Sequence, residues 1–173
     1  MLSYYFTIIG TNDNPLYELE FSLFKFTSLS GQTGQTPGKS QFEPSVKELL
    51  PYITHASLDV VDDATWTTNQ FNLGRIDLFY GISVNAFLTQ GNIKFLLCHT
   101  PNTGPSGSLG AGTGSVVSSS TSSKNEDNAI RQFFMEINEL YVKCLMNPLY
   151  SVNEPIRSTE FDLKVKLLAR KYL

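Results

Sequence analysis

The residues most suggestive of chemistry are Gly34-Gln-Thr-Pro-Gly38-Lys39-Ser40, because phosphate-binding loops end in Gly-Lys-Ser. The pattern fails there. The required first glycine would fall at position 33, where the chain has Thr33, and Pro37 removes a backbone donor that would cradle phosphate. Gln41-Phe42-Glu43-Pro44 also does not open a helix in the manner such a loop demands. Gly110-Ala-Gly112-Thr-Gly114 is followed by a serine tract and not by the apolar helix of a dinucleotide fold. No cofactor is therefore expected. His55 and His99 are the only histidines, too few for a metal site, and His99 and Cys98 alternate to opposite faces of one strand. No nucleophile elbow or cysteine–histidine pair is present, so no catalytic residue is assigned.

Carboxylates remain. Asp62 and Asp63 close the run Ser-Leu-Asp-Val-Val-Asp-Asp near a helix end, where the helix dipole disfavours them, and they are expected to lie in water. Asp59 differs. It interrupts Leu58 and Val60 on an otherwise apolar helix, which leaves a polar contact to a partner or a plain solvated carboxylate.

The C-terminal stretch 125–173 organises the chain. Ile130, Phe133, Phe134, Ile137, Leu140, Tyr141, Cys144 and Leu145 recur at intervals of three and four, one stripe of a helix with Asn125 as N-cap and Pro148 ending it near Met146. Ser158 or Thr159 caps a further helix whose face is Phe161, Val165, Leu168 and Tyr172. Upstream, Tyr4–Gly10 and the alternating Tyr17, Leu19 and Phe21 predict a hairpin with Glu18 and Glu20 facing water. A helix over about 50–63 takes in Leu49, Tyr52, Ile53, Ala56 and Val60, with Pro51 tolerable only in its first turn. Strands follow at 71–79, 82–89 and 93–99, the last two joined by Gln90-Gly91-Asn92.

Two inserts interrupt this plan: turn-forming residues at about 28–45, and a segment at 101–124 with 13 Gly or Ser in 24 residues, both expected to be disordered loops. The order β-β-α-β-β-β-α-α suits one α+β domain over 1–173, a five-stranded, largely antiparallel sheet with helices on its faces.

Composition narrows the partners. An apolar content of 41% supports a core, and a net charge of −3 gives no basic footprint for nucleic acid or anionic membrane. No stretch reaches the ~18 apolar residues of a membrane span. Cys98 and Cys144 each lie in apolar runs, and a reducing, cytoplasmic compartment is expected.

Four blocks carry a family resemblance: YFTIIGTNDNPLYELEF at 5–21, HASLDVVDDATW at 55–66, FLTQGNIKFLLCH at 87–99, and FFMEINELYVKCLMNPLYSVNEPIRSTEFDLKVKLLARKYL at 133–173. The chain resembles sedlin, the small longin-like subunits of TRAPP vesicle-tethering complexes, the specific part being MNP-x-Y…PIRS-x-x-FD-x-KV from Met146 to Val165. A paralogue in the same complexes shares the HxSLDVVD and NPxY features but departs from that tail. The resemblance implies a longin-like (SNARE-like) fold with one helix on one sheet face and two C-terminal helices on the other. It implies a non-enzymatic adaptor that joins other core subunits to the larger TRAPP subunits, acting indirectly on a Rab GTPase, peripheral at endoplasmic reticulum and Golgi membranes. Asp59 corresponds to the acidic position associated with partner contact. The alternatives are that sedlin-like paralogue or an independent SNARE-binding longin module.

Overall fold

A computed structural model describes residues 2–23, 42–100 and 120–173. Its elements in chain order are β1 (Leu2–Ile9), β2 (Pro15–Leu23), α1 (Pro44–Thr67), β3 (Asn72–Phe79), β4 (Ile82–Leu88), β5 (Lys94–His99), α2 (Ser120–Leu145) and α3 (Thr159–Tyr172). The five strands form one antiparallel sheet in the order β2-β1-β5-β4-β3. The expected fold class, a longin-like α+β arrangement in the order β-β-α-β-β-β-α-α, is the one observed.

Alternation along the central strands makes two cores. Tyr4, Phe6 and Ile8 of β1 join Phe95 and Leu97 of β5 beneath Ile130, Phe133, Phe134, Ile137 and Tyr141 of α2 and Phe161, Val165 and Ala169 of α3. Tyr5 and Ile9 join Val84, Ala86, Leu96 and Cys98 on the opposite face, beneath Leu50, Ile53, Leu58 and Val61 of α1. His99 therefore stacks on Tyr4 on the α2/α3 side while Cys98 points to α1, as the strand period requires.

Several expectations are corrected. Helix α1 begins at Pro44, which takes the first position, so Pro51 sits inside the helix and not in its first turn. Proline there leaves the carbonyl of Lys47 without its usual donor, which an exposed site tolerates because water replaces it. Of the apolar residues the helix was expected to take in, Ile53 is buried, while Leu49, Tyr52, Ala56 and Val60 are exposed; the sheet receives Ile53 together with Leu50, Thr54, Ser57, Leu58 and Val61. Thr54 and Ser57 can face the core because their hydroxyls donate back to the carbonyls of Leu50 and Pro51 and of Ile53.

Helix α2 begins at Ser120, ahead of the expected cap at Asn125, since STSSKN holds no proline or glycine to stop it. The two composition-defined inserts thus yield 44–45 to α1 and 120–124 to α2, and most of the rest, including the Gly-Lys-Ser and Gly-rich runs, lies outside the described residues. On β2, Glu18 accepts a hydrogen bond from the Tyr5 hydroxyl and Glu20 pairs with Lys47 of α1, so the face expected to meet water is partly covered.

The MNP-x-Y…PIRS-x-x-FD-x-KV string is a latch for α3. Asn147 Oδ1 accepts from the Leu149 amide, the Tyr150 hydroxyl donates to the Glu154 carbonyl, and the Ile156 amide donates to the Leu16 carbonyl of β2. Ser158 Oγ caps α3 by accepting from the Phe161 amide at 3.3 Å. Phe161 meets the Tyr17 ring edge-on at 5.2 Å, and the Tyr17 hydroxyl donates to Asp162. Burial works against the charge on Asp162, but hydrogen bonds from Lys166 and Tyr17 hold it below the usual carboxylate range.

Candidate functional site: the outer face of helix α1

With Leu50, Ile53, Leu58 and Val61 turned to the sheet, helical spacing sends Tyr52, His55, Ala56, Asp59, Asp63 and Trp66 outward in steps of three and four. Tyr52 is 65% exposed and Trp66 89% exposed, while Leu49 and Val60 widen the strip. Large apolar side chains in such number on one helix face, rimmed by acids, make a surface suited to another protein. Asp59 sits within that strip, exposed, and makes no hydrogen bond or ion pair among the described residues.

The neighbouring carboxylates divide. Asp63 stays exposed as expected, but Asp62 does not simply lie in water: its Oδ1 is 3.3 Å from Lys94 Nζ, which also donates to Asp13 at 2.9 Å. Lys94 is almost fully buried, and although burial opposes its charge, the hydrogen bonds to Asp13 and Asp62 raise its pKa above the ordinary lysine value. This lysine ties the β1–β2 turn, β5 and the C-terminal part of α1 together, fixing the outward face. Sequence inspection missed it, since its partners are distant along the chain; a lone lysine opening an otherwise apolar strand was the available signal.

The remaining candidates do not assemble into a reaction centre. His55 is exposed on α1 and His99 is buried at the end of β5. Burial pushes the His99 imidazole down to about 4, with Asp127 opposing the shift and Arg75 adding to it. Burial likewise pushes the Cys98 thiol up to about 12, an inert sulfur, and raises that of Cys144. Among the described residues no group of three or more His, Cys, Asp or Glu could hold a metal ion, and no helix is long and apolar enough to cross a membrane.

A five-stranded antiparallel sheet carrying one helix on one face and two on the other defines a longin-like module, here with exposed apolar side chains on the outer face of α1. The chain belongs to the sedlin family, whose pattern it matches over residues 8–171. It is 36% identical to trafficking protein particle complex subunit 20 of Saccharomyces cerevisiae over 98% of this chain and 97% of that protein. It is 37% identical to the transport protein particle 20 kDa subunit of Schizosaccharomyces pombe, over 98% of each chain. Similarity to the trafficking protein particle complex subunit 2-like protein of Xenopus tropicalis is lower, 28% over 64% of this chain and 71% of that one. The likeness to the first two runs through the C-terminal latch, in keeping with the preference for sedlin over its paralogue.

Proposed function

We propose that this chain is a non-enzymatic core subunit of a TRAPP vesicle-tethering complex, linking the core to larger subunits in endoplasmic reticulum-to-Golgi and Golgi traffic. Family membership supports the adaptor role and the absence of catalysis by the chain itself. The structural observation that carries the reading is the outer face of α1, where exposed Leu49, Tyr52, Val60 and Trp66 share the strip with Asp59, which is unpaired among the described residues. Asp59 is the contact to a partner's donor, and the apolar strip supplies the area. Nucleotide exchange on a Rab GTPase belongs to the assembled complex, and the chain reaches endoplasmic reticulum and Golgi membranes peripherally, through that complex.

Tagged chain isolated from its own cells should bring down other core subunits and the larger ones, identified by mass spectrometry. Asp59→Tyr should lose the larger subunits while remaining folded. Recovery of no other complex subunit with the wild-type chain, or of a single SNARE helix alone, would remove the proposal.

A further inference from the structure

Helix α1 is seated unevenly on the sheet. Up to Val61 it is held by buried side chains, Leu50, Ile53, Leu58 and Val61 among them. Beyond Val61 none of the residues 62–67 is buried, and the Thr65 and Thr67 hydroxyls donate only within the helix, to the carbonyls of Asp62 and Ala64. That stretch nonetheless carries Asp63 and Trp66, the C-terminal end of the strip proposed to meet a partner. Among the described residues its polar tie to another element is the ion pair from Asp62 to Lys94 of β5.

Strand alternation puts Lys94 on the α1 side of the sheet, with Leu96 and Cys98. Its side chain is 5% exposed, whereas those of Asp13 and Asp62 are each half-exposed or more. A buried pair of this kind adds little net stability over an apolar residue of similar volume; what it can fix is direction, since a buried ammonium has to be met by its acceptors. The second acceptor is itself held. Asp13 belongs to the β1–β2 turn, where its amide donates to the Gly10 carbonyl and the neighbouring Thr11 amide donates to Asn153 Oδ1, ahead of α3. Lys94 therefore takes its place from β5 and that turn and passes it to α1.

We infer that Lys94 is a positioning residue for docking: anchored on Asp13, it holds Asp62 and with it the C-terminal end of α1, so that Asp59 and Trp66 meet one partner surface together. This rests on the docking face proposed above, and adds that a side chain buried beneath that face, out of a partner's reach, governs affinity at it.

The test uses Lys94→Met, Asp62→Asn, the double variant and, for comparison, Val165→Ala in the core beneath α3. Lys94→Met nearly keeps the volume and leaves both carboxylates free to turn to water, so Tm should shift by less than about 3 °C, whereas Val165→Ala should lower it by about 6 °C. In quantitative isolation from cells, Lys94→Met and Asp62→Asn should each lower recovery of the larger subunits that Asp59→Tyr loses by about fivefold, and the double variant by no more than Lys94→Met alone. Val165→Ala should retain them. Hydrogen exchange of the amides over 62–67 should be about tenfold faster in Lys94→Met and in Asp62→Asn than in the wild type. Recovery that falls in step with Tm across the three single variants would make Lys94 merely structural and overturn the inference. An additive loss in the double variant would overturn it too, by placing Asp62 itself against the partner, as would full recovery with Lys94→Met. Should Lys94→Met not fold, wild-type exchange over 62–67 in Asp62→Asn would have the same force. In each of these cases the docking face stands as long as Asp59→Tyr loses the larger subunits; if Asp59→Tyr retains them, both readings fail.

Discussion

The two faces of the sheet are built on different rules. Beneath α2 and α3 the core is aromatic and continuous, with Phe6, Phe95, Phe133, Phe134 and Tyr141 in mutual ring contact and fully or almost fully buried. Beneath α1 the contact is thinner and includes the hydroxyls of Thr54 and Ser57, while aromatic area is turned to solvent at Tyr52 and Trp66. One face invests its apolar side chains in the fold, the other in a surface. A helix held by fewer large side chains, kept in place by an ion pair at its end, leaves its more aromatic side in solvent.

That contrast can be broken in several ways. Phe161→Ala should have the largest effect, about 3–5 kcal/mol, because the ring is buried against Tyr17 in the aromatic layer. A urea midpoint near the wild-type value would mean that α3 contributes little to the thicker face. Next comes acid sensitivity. His99 has a folded-state pKa of about 4 against an unfolded value of 6.5, so its contribution is present above 6.5 and is lost as pH falls toward 4. Stability should fall by about 2 kcal/mol between pH 7 and pH 5, and His99→Gln should flatten that part of the profile. An unchanged slope in the variant would assign the acid sensitivity elsewhere.

Ser57→Ala on the thin face should change stability by less than about 1 kcal/mol, since its hydroxyl bonds only within its own helix. Asp59→Tyr should be smaller still, within about 0.5 kcal/mol by thermal denaturation, because the side chain is exposed and unpaired among the described residues. A large drop in Tm would make Asp59 structural and erase the distinction between the two faces. Native-state hydrogen exchange sharpens the same point: amides of α1 should open before those of the central turns of α2.

The thick face was readable in the sequence because every residue of the α2 stripe that meets the sheet is large and apolar, so counting at helical spacing finds it. On α1 the same counting found Leu49, Tyr52, Ile53, Ala56 and Val60, of which Ile53 is buried and the other four face outward. The buried stripe was hidden by Thr54 and Ser57, whose polarity is cancelled locally by bonds to the preceding turn. Hydrophobic periodicity finds an apolar face but does not distinguish one turned to the sheet from one turned to the surface. Asp59 was found as a polar break in that outward stripe, its surroundings only once α1 was oriented. Lys94 depends on carboxylates at 13 and 62, a convergence that exists only in three dimensions. The turn at Tyr80-Gly81 was implicit in two strands ending at 79 and beginning at 82, but its backbone conformation was not.

Asn153, itself at a φ of 68°, reaches back across 142 residues to accept the Thr11 amide and to donate to its hydroxyl, while Asn14 donates to the Asn153 carbonyl. The approach is close enough that a Cβ at Gly10 would fall 2.5 Å from Asn153 Oδ1. A turn made early in this sequence is thus completed by a segment that follows far along it, and β1 waits for β5 before both its edges are paired. During synthesis the opening hairpin must stay soluble with its sticky strand half-clothed, and a premature stop anywhere before the latch would release a chain that is a ready client for chaperones.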